Sequence, residues 1–126
     1  MSTEANQNVI VRWFDAVNQG DLAVLDQLAD ELFSPDFCEH DPRMPNFQPG
    51  PAGVKHFIRQ VLTENVDVHV TLHDIFGYED KTASRFTVAM KDAATGQPVS
   101  AQVIAISRFV NGQMVEEWEL AVAGKW

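Results

Sequence analysis

Apolar positions fall into two regimes along the chain. Val9, Ile10, Trp13, Phe14 and Val17 recur at helical spacing and predict an amphipathic first helix. Asn18-Gln19-Gly20 ends it, with Gly20 as the residue just past the helix, where glycine accepts a left-handed backbone. Asp21 then caps a second, short helix with Leu22, Leu25 and Leu28 on its stripe and Val24 beside it. So tight a link predicts that the two helices pack on each other. Phe33-Ser34-Pro35-Asp36 breaks the pattern, and Phe37-Cys38-Glu39-His40-Asp41-Pro42 leads into a proline-rich loop. Gly50-Pro51-Ala52-Gly53 opens a third helix with proline in its first turn, and Val54, Phe57, Ile58, Val61 and Leu62 form its stripe.

Beyond Leu62 the period changes to two. Val66, Val68, Val70 and Leu72 alternate with Asp67, His69, Thr71 and His73. Phe86, Val88 and Met90 alternate with Arg85, Thr87 and Ala89, and Ala101–Phe109 supplies another strand. Asn111-Gly112 is the strongest hairpin signal in the chain, because both central residues of a type I′ turn need φ > 0. Met114–Val122 runs out of it as the closing strand. Helices first and alternating strands behind predict an α+β domain, with three helices on one face of a bent, mainly antiparallel sheet. The result is a cone closed at its wide end by the first and third helices and the proline loop, and a pocket there is the expected site.

The closing strand carries the candidate chemistry. Glu117 and Glu119 share one strand face, roughly 6 to 7 Å apart, while Glu116, Trp118 and Leu120 share the other. Two carboxylates in a dry site repel each other, which raises the pKa of one and makes a general acid/base at neutral pH. On a wet face the same residues only solubilise an edge. Parity poses a difficulty. Even-numbered Val68, Val70, Leu72, Phe86, Val88, Met90, Ile104, Ile106, Trp118 and Leu120 look like the helix-covered face. Glu117 and Glu119 therefore face inward only if a bulge switches the alternation; otherwise they face outward or into a dimer interface.

Composition narrows the classes. The 126 residues suit one domain spanning 1–126, and 45% apolar residues suffice for one core. A net charge of −9, from 18 acidic and 9 basic residues, opposes nucleic acid or an anionic membrane as partner. The lone Cys38 excludes an intrachain disulfide and thiolate-rich metal sites. No signal peptide or spanning segment is visible at the N-terminus or beyond it, so a cytoplasmic location is expected.

His40, just before the proline loop, is a candidate to orient a carbonyl or relay a proton. Asp41 is a candidate pocket residue or a turn cap. Arg85 either balances the glutamates, binds an anionic group, or forms a cross-strand ion pair. Trp13, Phe14, Phe57 and Trp118 are candidates to line an apolar cavity. His69 and His73 lie about 13 Å apart along a strand, and with His56 and His40 they show no ligand spacing, so no metal site is expected.

In its order of parts the chain resembles the SnoaL-like polyketide cyclase family of the nuclear-transport-factor-2-like superfamily. The likeness runs from the helix–Gly–Asp–helix unit through His40-Asp41-Pro42 and Gly50-Pro51-Ala52-Gly53 to the closing segment Arg108–Glu119. It implies a cone-shaped fold with an interior pocket, no metal or organic cofactor, a small hydrophobic ligand, and a homodimer formed through the sheet. It also implies ring closure by aldol condensation, in which one acid on the last strand takes a proton from carbon and returns it to oxygen. That acid sits in a His-x-Asp pattern, whose positions fall here on Glu117 and Glu119. The resemblance thus casts Glu119 as acid/base, with Glu117 in the place of the histidine. An anion there would raise the pKa of Glu119. His40 would assist from the loop. An isomerase or hydrolase using another acid such as Asp41, and a binding domain without catalysis, are the rival expectations.

Overall fold

The computed structural model describes residues 2–126. Helix α1 spans Thr3–Gln19, α2 Leu22–Leu32 and α3 Gly50–Glu64; the strands are β1 Phe33–His40, β2 Asn65–Tyr78, β3 Lys81–Asp92, β4 Pro98–Val110 and β5 Gln113–Ala123. Local signals set the boundaries. Gly20 ends α1 at φ 71°, donating its N–H to Ala16 and Val17, and Asp21 caps α2 by accepting from Ala23 and Val24. Helix α3 starts with proline in its first turn. Gly50 there has φ +77°, and a Cβ on it would meet the Pro35 carbonyl oxygen at 2.7 Å, so only glycine fits.

The sheet has the order β1-β5-β4-β3-β2, antiparallel throughout except that β1 runs parallel to β5. The helices lie on one face, giving the open α+β cone of the nuclear-transport-factor-2-like fold. Asn18 ties the end of α1 to edge strand β2 by exchanging two hydrogen bonds with the Val70 backbone. Apolar residues from both layers form the core, including Leu25, Leu32, Phe37, Val54, Phe86 and Met114. No helix among the described residues is long and apolar enough to cross a membrane.

Two features depart from the alternation pattern. Phe33–His40 is an edge strand, hidden in the sequence because Ser34 and Pro35 interrupt its period and the pairing with β5 shifts between Phe33 and Cys38. The even-numbered residues of β4, and those of β5 from Glu116 onward, are not under the helices. Strand β3 pairs with β4 so that even meets odd, with Phe86 opposite Val103. Phe86, Val103 and Ala105 are therefore buried, while Ile104, Ile106 and Leu120 stand on the outer face. In β5, Phe109 faces Met114 but the next β4 residue, Arg108, faces Glu116. Val115 is thus an extra residue, a bulge that reverses the alternation. Before it Met114 points into the core; after it Glu117 and Glu119 do.

Candidate active site

The bulge delivers two glutamates to the interior, and β1 adds a third. Glu39 pairs in register with Glu117 across the β1–β5 ladder. Carboxylate oxygens of Glu39, Glu117 and Glu119 all lie within 4.8 Å of one another. The cluster ends a cavity of about 260 Å³ between the helices and the sheet. Trp13 and Phe14 of α1, Phe57 of α3 and Phe47 of the proline loop line it. Trp13 packs edge-on against Phe33, and Phe14 packs at a tilt against Phe86, which fixes these rings as walls.

Electrostatics follow from this burial. Glu39 is pushed up to about 11, first by desolvation and then by Glu117 and Glu119. Desolvation also raises Glu117, against hydrogen bonds from Glu39 and from Ser107, whose hydroxyl lies 2.8 Å from Glu117 Oε2. Glu119 is raised well above the ordinary range by burial, the neighbouring Glu117 and a hydrogen bond to Asp41. Burial works against the charge on Asp41, but Arg43 and Glu119 outweigh it and hold its carboxyl low. Arg43 Nη2 lies 2.6 Å from Asp41 Oδ2 and 3.5 Å from Glu119 Oε2. The proton order follows. Asp41 is the anion, paired with Arg43 and accepting from Glu119. Glu39 keeps its proton and donates to Glu117. Glu117, which accepts from Glu39 and Ser107, is the inner carboxyl best supported as an anion. Oε1 of Glu39 is buried without a partner among the described residues.

The sequence candidates divide between two faces. Glu117, Glu119, Trp13, Phe14 and Phe57 line the cavity. Asp41 is buried against Arg43 and lines an open groove outside rather than the cavity. His40, Trp118 and Arg85 lie on the outer face and not in this cavity: His40 and Trp118 line the open groove outside it, and Arg85 forms the cross-strand ion pair that was one of its alternatives. Strand alternation turns His40 away from Glu39, so His40 Nε2 sits 2.7 Å from Glu116 Oε2 and its ring stacks on Trp118. Trp118 is opposite in parity to both inward glutamates. Arg85 bonds Asp74 at 2.7 Å and lies under the Trp126 ring. Sequence reading missed Glu39, Arg43 and Ser107. Glu39 was hidden because its strand was unrecognised; the odd parity shared by Phe37 and Glu39 was the available signal.

The three glutamates are also the only group of metal-ligand type among the described residues with atoms this close. A hard cation there would compete with the protons that burial favours. Outside, a wider, open groove of about 840 Å³ runs over Ile104, Ile106 and Leu120 and borders Glu39 and Glu119. It lacks a roof of helices to exclude water, so the interior cavity is the candidate site.

Relatives are consistent with this architecture. No curated protein matches the chain. Among solved structures, TsrD from Streptomyces laurentii superposes with TM-score 0.82 at 22% identity, covering 96% of this chain and 90% of that one. IdmH from Streptomyces antibioticus, named a candidate polyketide cyclase, gives 0.76 at 24%, covering 92% and 91%. AclR from Streptomyces galilaeus, named a candidate hydroxylase, gives 0.77 at 23%, covering 96% and 77%. At these identities the likeness is one of fold. The SnoaL-like domain model matches residues 10–117, from the first helix to the second glutamate of the closing strand, and the chain belongs to that family.

Proposed function

We propose that this domain is a cofactor-free acid/base catalyst acting on a hydrophobic carbonyl compound, by cyclase-like aldol closure or a related isomerisation. One observation carries the reading: three carboxyls of raised pKa converge on an aromatic-lined cavity between the helices and the sheet. Carboxyls raised toward neutrality can exchange protons with a substrate at physiological pH. Glu117 takes the proton from the carbon beside the carbonyl while Glu119 donates its proton to the carbonyl oxygen, giving an enol. In closure the enol carbon attacks a second carbonyl. The new alkoxide takes the proton from Glu117, and the enol hydroxyl returns its proton to Glu119 as the first carbonyl reforms. Both carboxyls regain their starting state. Asp41, fixed by Arg43, orients Glu119, and Glu39 positions Glu117. His40 has no part in this scheme.

The test uses 1-tetralone as probe, following exchange of its α-hydrogens with deuterated solvent by NMR. The wild-type protein is expected to accelerate exchange, and Glu119→Gln to remove the acceleration while keeping the circular dichroism spectrum. Unaccelerated exchange in the wild type, or full acceleration in the variant, overturns the assignment.

Glu39 favours the second reading, a ligand-binding domain without turnover. An acid titrating at about 11 gives a lasting hydrogen bond and does not release its proton near neutrality. The outer face also supports self-association: Ile104, Ile106, Leu120 and Val122 stand exposed across adjacent strands. A homodimer through this face is expected to become monomeric in Ile106→Glu, read by sedimentation velocity.

A further inference from the structure

The cavity's volume and charge also restrict what it can take. We propose that it admits an uncharged ligand of two fused rings bearing one hydrogen-bonding oxygen, and rejects both larger ring systems and carboxylates. This rests on the acid/base reading of the same site and deepens it.

Size comes first. A dry apolar cavity of ~150 Å³ takes benzene. In proportion, the 260 Å³ here holds about ten non-hydrogen atoms, a bicyclic skeleton. That lies below the roughly 300–1,000 Å³ of pockets for drug-sized molecules. The walls resist widening where they are aromatic and interlocked, as Phe14 is against Phe86 and Phe47 against Phe57.

Charge comes second. The polar end of the cavity is acidic, and its one cation among the described residues, Arg43, is committed to Asp41 through both carboxylate oxygens and leans toward Glu119. An anionic ligand would meet like charge with no free cation among those residues to balance it. A neutral carbonyl or hydroxyl oxygen instead meets protonated carboxyls. Glu39 Oε1, buried without a partner among the described residues, is an additional atom that a ligand hydroxyl could satisfy.

Isothermal titration calorimetry at pH 7 with three probes tests this: 1-tetralone, 2-acetylanthracene and 1-naphthoate. 1-Tetralone is expected to bind one per chain, with the other two at least tenfold weaker. Ala101→Phe, which fills the cavity from β4, is expected to weaken 1-tetralone at least tenfold, and Phe57→Ala to strengthen 2-acetylanthracene at least tenfold. Either variant suffices if the other does not fold. Equal or tighter wild-type binding of 2-acetylanthracene or 1-naphthoate overturns the assignment, as does absence of 1-tetralone binding. The exchange assay on the same samples separates the two claims. Tight 1-tetralone binding without exchange supports the size class and removes the acid/base reading. Equal exchange into the methyl group of 2-acetylanthracene removes the size class and leaves the acid/base reading standing.

Discussion

Glu116 and Glu117 are neighbours of identical chemistry on β5, separated only by the sheet between them. Glu116, on the outer face, is held low, first by its hydrogen bond from His40 and then by Arg108. Glu117, on the inner face, is raised by burial. Strand β1 repeats the contrast: His40 reaches outward to Glu116 while Glu39 joins the inner cluster. Residue type therefore says little about the behaviour of these groups; the face decides it. The two faces also respond oppositely to pH. The inner carboxyls keep protons in the folded state that the unfolded chain releases above about 4.5, so they favour folding less as pH rises through that range, for Glu39 up to about 11. Glu116 contributes stability above its ordinary value and loses it as pH falls below.

Glu119→Gln should break the contrast most severely. It is expected to slow α-hydrogen exchange by roughly a hundred- to ten-thousand-fold, whereas Glu116→Gln should leave it unchanged. Equal losses would mean that the two faces do not differ in function. Deleting Val115 tests the parity itself: it leaves Phe109 opposite Met114 and Arg108 opposite Glu116 and restores plain alternation between them, so Glu117 and Glu119 should stay inward. The expected result is retention of the high-titrating carboxyl signals in a carbon-detected NMR titration; their loss would show that Val115 is not the extra residue.

Glu39→Gln sharpens the comparison through stability. It removes an acid that the folded state keeps protonated while the unfolded chain ionises it, so urea denaturation at pH 9 should show a gain of at least about 1 kcal/mol, the worth of roughly one pKa unit. At pH 4, where the cluster is protonated in both states, the gain should vanish. A pH-independent effect would mean that the cluster does not hold the protons assigned to it. Smallest of all, His40→Ala should cost no more than ~1 kcal/mol at pH 7, as for half-exposed ion pairs, with no change in exchange rate.

The legible and illegible parts of the molecule divide by range. Gly20, Asp21, Pro51 and Asn111-Gly112 marked their boundaries because each acts on its own backbone; Asn111 and Gly112 indeed take φ 52° and 79°. Glu117 and Glu119 were legible as a pair, since period two is local. Glu39 was not, because the strand that carries it interrupts its alternation and gains its role from a partner almost eighty positions away. Arg43 was hidden for a similar reason: nothing near it in sequence announces that Asp41 and Glu119 meet there.

By itself, then, the order of amino acids determined the helices, the hairpins, the α+β class and the presence of paired acids on the final strand. These depend on periodicity and on turn residues, whose energetics act over a few positions. Tertiary structure alone decided which face of β5 looks inward, because that follows from the β3–β4 register and one inserted residue at Val115. It likewise decided that His40 and Trp118 face away from the cavity and that three carboxyls share it. Each of these is set by pairing between distant strands, and pairing is a property of the assembled sheet.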